Sequence, residues 1–466
     1  MATINVDLSK VIGKIRPVHG VNGGPRTTNF TYNATDFFKE ASIPYCRLHD
    51  VEYPNGSGEY IDIHCVFKNF DADVNDPASY NFFLSDHYIG ACLEAGSDII
   101  FRLGESAANA PLKTYVKPPK DFKKWAEICE HIIRHYNEGW ANGYHWNIKY
   151  WEIWNEPDLG TDATWGGTIE EYFDLYEITA RHLKSCFPHL KIGGPSNAGN
   201  TDKGLRFIEE MGKRKAPLDF FSFHKYTHKV EVFEEMYAIV KECLIENGYP
   251  NAEIHLNEWN YVECWKYAAA SFRKLVGIRG AAFCAATLIA FQHMGLSVGN
   301  YFEADVVKEW CGLFEVDDMI LHRYNEDVPV GGMGNIRCKN TLKARKPYYA
   351  FKTFGALYRL AQEVESNSDC KQVRVCAATD NEKSTVMIST YQHDIFEGKI
   401  IQQAVCPASE LRLNGLPTNG SKISVYLTDE GHEDKCMKEY LCEEESFVVP
   451  MRLYDEQIYR IEVEPA

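Results

Sequence analysis

No stretch of this chain approaches 18 uninterrupted apolar residues, so no membrane-crossing helix and no membrane partner are predicted. Its first residues, Met1-Ala2-Thr3-Ile4-Asn5-Val6-Asp7, have neither the positive start nor the apolar run of a secretory leader, which predicts a cytoplasmic protein. Basic residues are in deficit: 49 Lys and Arg against 66 Asp and Glu leave a net charge of −17, and no basic stripe offsets it. Such a surface repels phosphate backbones and excludes nucleic acid as the expected partner. None of the 15 cysteines forms a Cys-x-x-Cys pair, and no His-Glu-x-x-His occurs, so no metal is expected. No Gly-x-Gly-x-x-Gly follows a predicted strand either, which argues against a dinucleotide; the expected cofactor complement is none. The cysteines sit in apolar settings such as Ile43-Pro44-Tyr45-Cys46 and Ala282-Phe283-Cys284, as free thiols acting as small hydrophobes do. Repeats and low-complexity tracts are missing too.

What is there is a globular composition, 45% hydrophobic, in a chain of 466 residues, too long for one ordinary core. From about residue 15 to 305, short β-rich runs alternate with amphipathic helical stretches, the pattern of a parallel sheet with crossover helices. Eight runs are predicted: Val18 to Asn22, Tyr45 to His49, Asp98 to Leu103, Ile148 to Trp154, Lys191 to Gly194, Phe220 to His224, Glu253 to Leu256 and Leu296 to Phe302. Helices are expected over Ser79 to Ala95, Asp121 to Tyr136, Ile169 to Cys186, Val230 to Asn247 and Ala268 to Phe291. Eight βα units make a closed α/β barrel, the (β/α)₈ or TIM barrel. After a last helix to about Gln362, short alternating runs follow: Gln372 to Ala377, Ser384 to Tyr391, Lys399 to Val405, Lys422 to Leu427, Ser446 to Val449 and Gln457 to Val463. These read as an accessory C-terminal β-sandwich, to which Thr3 to Leu8 adds a strand. The expected division is a catalytic barrel over 14–355 and a sandwich built from 1–13 and 356–466.

Two carboxylates stand out. Lys149-Tyr150-Trp151-Glu152-Ile153-Trp154-Asn155-Glu156-Pro157 is a strand stopped by Pro157, which puts Glu156 at its C-terminal end. In Ile254-His255-Leu256-Asn257-Glu258-Trp259-Asn260, Glu258 takes the matching place, ahead of the alternatives Glu253, Glu263 and Glu303. Three βα steps separate the pair, so they end the fourth and seventh strands, which face each other across a barrel mouth. Glycosidic bond cleavage needs such a pair, one carboxyl protonated and one ionised.

Trp154-Asn155-Glu156-Pro157 resembles the acid/base motif of the large (β/α)₈ glycosidase clan whose catalytic glutamates end strands four and seven and which retains anomeric configuration. The order of motifs is most similar to glycoside hydrolase family 39, known for β-xylosidases and α-L-iduronidase, through His19-Gly20, Cys46-Arg47-Leu48-His49-Asp50 and Ser222-Phe223-His224-Lys225-Tyr226. The likeness covers roughly residues 15 to 355. It departs at Gly299-Asn300-Tyr301-Phe302-Glu303-Ala304-Asp305, where many clan members carry a tryptophan platform. The resemblance implies a retaining, exo-acting glycoside hydrolase with Glu156 as acid/base, Glu258 as nucleophile and a glycoside or oligosaccharide as substrate.

By the same resemblance Asn155 meets the sugar 2-hydroxyl. His224 and Tyr226 are placed by the sixth strand to approach sugar and nucleophile, and Arg47 to keep Glu258 ionised, with a satisfied histidine, a core tyrosine and a structural salt bridge as the alternatives. His19, His49 and Glu303 are candidates for hydroxyl recognition, and Trp259 or Tyr301 for stacking, with packing roles as the alternatives. Xylose leads by family likeness alone; arabinose, galactose, glucose and a uronic sugar stay open, the last calling for a cationic clamp from Arg47, Arg102 or Lys225. A transglycosylase, a sugar phosphorylase and a carbohydrate-binding barrel are the competing readings. Direct attack by Glu258 requires carboxyl groups about 5 to 5.5 Å apart and a raised Glu156 pKa.

Overall fold

The computed structural model describes residues 2–26, 33–49, 51, 61–106, 115–160, 163–199, 201–304, 311–323, 336–393 and 406–466. The chain opens on β1 (Ala2–Lys14) and then lays down eight parallel strands, β2 (Gly20–Asn22), β3 (Tyr45–Leu48), β4 (Asp98–Leu103), β5 (Tyr150–Ile153), β6 (Lys191–Asn197), β7 (Phe220–Tyr226), β8 (Glu253–Asn260) and β9 (Val298–Tyr301). They close in sequence order, the seam being Gly20 opposite Asn300 and Val21 opposite Tyr301. Around them run α1 (Thr35–Ala41), α2 (Ile63–Val66), α3 (Phe83–Glu94), α4 (Phe122–Glu138), α5 (Ile169–Cys186), α6 (Thr201–Arg214), α7 (Val230–Glu246), α8 (Ala268–Leu275) and α9 (Ile278–Met294). A hairpin of β10 (Phe314–Arg323) and β11 (Ile336–Ala344) leads to α10 (Tyr348–Leu360).

Local chemistry fixes several of these boundaries. Thr168 and Glu171 form a reciprocal capping box that starts α5, and Asp121 caps α4 through the backbone N–H groups of Lys123 and Lys124. One helix was expected from Ala268 to Phe291; it is two, α8 and α9, bent by 93° where Val276 and Gly277 intervene. A Cβ on Gly280 would lie 1.8 Å from the Leu275 carbonyl oxygen, so only glycine lets the two helices meet this closely.

Strand alternation sorts the barrel interior into layers. The lowest holds Ile100, Tyr150, Phe220 and Val298, packed together with Tyr45. Two residues further along the same strands stand Arg47, Arg102, Glu152, Ser222 and Asn300, all fully buried. An apolar plug therefore sits beneath a polar tier, and that tier carries the mouth.

The last strands, β12 (Gln362–Ser368), β13 (Val373–Thr379), β14 (Ser384–Thr390), β15 (Cys406–Asn414), β16 (Ser421–Thr428), β17 (Lys435–Cys442), β18 (Ser446–Leu453) and β19 (Gln457–Pro465), join β1 in one sheet ordered β17-β16-β19-β14-β13-β12-β1-β15-β18. Leu413 and Met451 from one end of that order share a core with Ile423 and Val425 from the other, so the sheet folds over as a sandwich. The strand expected over Lys399 to Val405 lies outside the described residues. Buried from Gly280 to Gln292, α9 is wedged between α7, α10 and strands β13, β14 and β19. Each buried Phe or Leu it contributes stabilises by roughly 1.5–3 kcal/mol. Ser389 Oγ donates to the Ala282 carbonyl across this contact at 2.9 Å, and Arg279 pairs with Glu456 at 2.7 Å.

Candidate active site

Arg47 organises the polar tier from β3. Each of its five N–H groups has a partner: Nε donates to Glu152 Oε2 (2.7 Å), Nη1 to Asn22 Oδ1 (3.0 Å) and Glu258 Oε1 (2.9 Å), and Nη2 to Asn155 Oδ1 and Ser196 Oγ (both 2.7 Å). One guanidinium thus ties β2, β3, β5, β6 and β8 together. Asn257 Nδ2 closes the network, donating to Glu152 Oε1 at 2.6 Å and to Ser196 Oγ at 2.8 Å.

The two glutamates sit on top of this frame. Glu258 accepts from Arg47 on one oxygen and from the Tyr226 hydroxyl on the other, at 2.8 Å, with His49 Nε2 3.7 Å away. Glu156 follows β5 in a left-handed backbone conformation, φ 48°, as do Trp154 (φ 73°) and Ser196 (φ 58°). Non-glycine residues adopt that region at a cost, and such strain gathers where side chains must be aimed. The Glu156 N–H donating to the Ser196 carbonyl and the Trp154 N–H donating to the Leu103 carbonyl hold the turn there.

His224 links the pair. Its Nδ1 lies 2.7 Å from Glu156 Oε1 and 3.3 Å from Glu258 Oε2, and its Nε2 lies 2.6 Å from Ser196 Oγ. Burial pushes the imidazole down to about 4, against the pull of the Glu258 carboxylate, so the ring is neutral at pH 7. Ser196 Oγ already accepts from Arg47 and Asn257, so both its lone pairs are taken; its proton has Asn155 Oδ1 at 3.2 Å and Nε2 at 2.6 Å as acceptors, and the shorter contact assigns the imidazole hydrogen to Nδ1, facing the carboxylates. Burial and the Glu258 carboxylate push the Tyr226 phenol up, fixing it as a donor. A carboxylate oxygen of Glu156 and one of Glu258 lie within 4.8 Å of each other. Glu156, His224 and Glu258 together present three metal-ligand atoms in that span, but Arg47 already supplies the cationic charge at 2.9 Å and opposes a divalent ion.

Of the residues singled out from sequence, Arg47, His49, Asn155, Glu156, His224, Tyr226 and Glu258 converge here. Asn155 Nδ2 is buried and has no hydrogen-bond partner among the described residues, a donor available to a ligand. Glu303 is buried in the turn after β9. Three expectations need correction. His19 precedes β2, at the opposite end of the barrel, where its Nε2 meets the Ser42 carbonyl at 3.0 Å and its ring packs on Phe354 and Tyr358; burial holds it at about 3. Trp259 follows the inward Glu258 and therefore points outward, packed among Phe233, Phe291 and Phe351 with no exposed surface. Tyr301, next to the inward Asn300, packs on Trp259 and Phe351 and donates its hydroxyl to the Cys311 carbonyl. Neither ring is a sugar platform. Sequence reasoning passed over Glu152, Ser196 and Asn257; the signal was a charge inside an otherwise apolar strand and polar residues at strand ends.

The chain matches the model of "Glycosyl hydrolases family 39" over residues 3–436. It is 25% identical over 334 residues to a beta-xylosidase of Geobacillus stearothermophilus, covering 66% of this chain and 62% of that protein. To a beta-xylosidase of Caldicellulosiruptor saccharolyticus it is 26% identical over 353 residues, 70% of this chain and 66% of the relative. Both matches span just under two thirds of the relatives' own length. The fold is shared with a glucosidase from Croceicoccus marinus, at a TM-score of 0.78 and 22% identity, covering 100% of this chain and 99% of that one. It is shared too with a monomeric beta-xylosidase from Caulobacter crescentus CB15, at 0.70 and 17%, covering 99% of each. With a family match running through the barrel and into the sandwich, and with both glutamates at the ends of β5 and β8, the chain belongs to glycosyl hydrolases family 39.

Proposed function

We propose that this chain is a retaining, exo-acting glycoside hydrolase that cleaves β-xylosides by double displacement, with Glu258 as nucleophile and Glu156 as acid/base. The observation that carries the reading is that one carboxylate oxygen of Glu156 and one of Glu258 lie within 4.8 Å of each other, an approach that suits the carboxyl separation of about 5–5.5 Å in retaining enzymes better than the roughly 6.5–9.5 Å of inverting ones. Glu156 gives its proton to the leaving oxygen as a Glu258 oxygen attacks the anomeric carbon and the glycosidic bond breaks. Glu156 then takes a proton from the water that opens the glycosyl ester. Arg47 and Tyr226 hold Glu258 ionised and aimed, whereas His224 orients one oxygen of Glu156 and leaves the other for the proton in transit. Asn155 Nδ2 is the donor for the sugar 2-hydroxyl, a contact that strengthens as the oxocarbenium character grows.

Xylose is supported by the two relatives named beta-xylosidase. A uronic sugar is disfavoured because two of its three candidate clamps are engaged, Arg47 by Glu152 and Glu258 and Arg102 by Asp62. The test is the anomer first released from a p-nitrophenyl β-xyloside, followed by proton NMR. β-Xylose supports the proposal, α-xylose overturns retention, and xylose 1-phosphate formed on adding phosphate marks a phosphorylase.

A further inference from the structure

Among the described tryptophans only Trp265 is exposed, at 57% of its surface, and Tyr267 two residues on is exposed at 65%. Both stand on one short turn, Trp265–Tyr267, just after β8, the strand that carries Glu258. A single exposed ring is ordinary, but two large aromatic rings left in water on one three-residue turn call for an explanation. This turn is held in place: the Tyr267 N–H donates to the Cys264 carbonyl at 3.1 Å, and Glu263 takes Lys274 Nζ at 2.8 Å and the hydroxyl of the buried Tyr261. The Trp265 indole meets the Tyr226 ring edge to face, centroids 5.2 Å apart, and the Tyr226 hydroxyl bonds Glu258. The indole is therefore one ring removed from the proposed nucleophile, on its solvent side.

Depth decides what such a ring can touch. Arg47, Asn155, His224 and Glu258 are all buried, so a sugar held on them fills the closed floor of the mouth, and what projects to the rim is the substituent on its anomeric carbon. We propose that Trp265, with Tyr267 beside it, is the stacking platform for the leaving group, and that the ligand it takes is a second pyranose with an apolar C–H face. The indole supplies a rigid, half-desolvated π surface at little conformational cost. This inference rests on the glycosidase reading and adds a binding site to it.

The experiment compares kcat/KM on xylobiose, whose leaving group is a sugar ring, with that on β-xylosyl fluoride, whose leaving group has none. Trp265→Ala is expected to lower the xylobiose-to-fluoride ratio about fivefold to tenfold, Tyr267→Ala less, and Trp265→Phe to retain most of it. A ratio that Trp265→Ala leaves unchanged, whether neither substrate suffers or both suffer alike, overturns the platform while leaving the xylosidase reading standing. Wild-type protein that turns over neither substrate overturns that reading instead, and the platform with it.

Discussion

Arg47 shows how much of this site hangs on single side chains. A buried guanidinium flanked by two buried carboxylates is tolerable only while every charge and donor is matched. Arg47→Met should cost about 3–5 kcal/mol, read as a lowered urea midpoint, because Glu152 and Glu258 are left without their cation. Glu258→Ala, by contrast, leaves Arg47 paired with Glu152 and its Nη1 still bonded to Asn22, and opens a space at the mouth that water can fill, so it should keep the melting temperature and abolish turnover; azide should restore turnover with inverted stereochemistry by occupying the vacated space. Activity within about tenfold of wild type would remove Glu258 from the nucleophile's role. Glu156→Ala should slow substrates with poor leaving groups by roughly 10²–10⁴-fold while activated aryl glycosides, which depart with little protonation, lose far less. Equal losses on both classes would contradict the acid/base assignment.

The elements aim these residues through a few irregularities in otherwise regular strands. The register slips between Phe223 and His224 on β7 and between Leu256 and Trp259 along β8, and these shifts set His224 and Glu258 side by side. On β6 the constraint is space: a Cβ on Gly193 would lie 2.2 Å from the Phe220 carbonyl oxygen and 2.5 Å from its ring. Gly193→Ala must therefore push β6 off β7, and with it Ser196, whose hydroxyl fixes the His224 tautomer. The expected result is a loss of about 1–3 kcal/mol in stability together with a fall in kcat, measured by denaturant titration and kinetics. A variant as stable and active as the parent would show that β6 is free to shift.

The molecule as a whole couples barrel to sandwich through α9 and α10, and Cys376, Ala378, Met387 and Ile458 of the sheet belong to the barrel's own hydrophobic core. A chain ended near residue 360 should therefore be insoluble or strongly destabilised, since it exposes that face; a soluble, fully active truncation would contradict this. Acid should weaken the whole fold for a separate reason. His19 and His224 are held at about 3 and about 4, below the usual 6.5, so the unfolded chain binds protons that the native one refuses. Stability is then complete above about pH 6.5 and falls as pH drops toward 4, by about 3 kcal/mol for His224 alone. Melting temperature followed from pH 7 to 4 checks the slope, and His19→Gln should flatten part of it.

Alternation, strand-stopping residues and spacing were enough to determine from sequence that eight βα units close a barrel and that Glu156 and Glu258 share its mouth, because these are local signals repeated along the chain. The same alternation, applied residue by residue, already turns Trp259 and Tyr301 away once Glu258 and Asn300 are known to face inward. Only the tertiary structure decided that inward direction, through bulges with no sequence signature of their own. It alone brought Glu152 and Ser196 to Arg47, and Asn257 to both of them, from three other strands, and broke the helix after Leu275 where two backbones touch. His19 went to the far end of the barrel because its strand begins there. Which polar strand residues meet depends on register and closure, set by contacts hundreds of residues apart in the chain, and no local window carries that information.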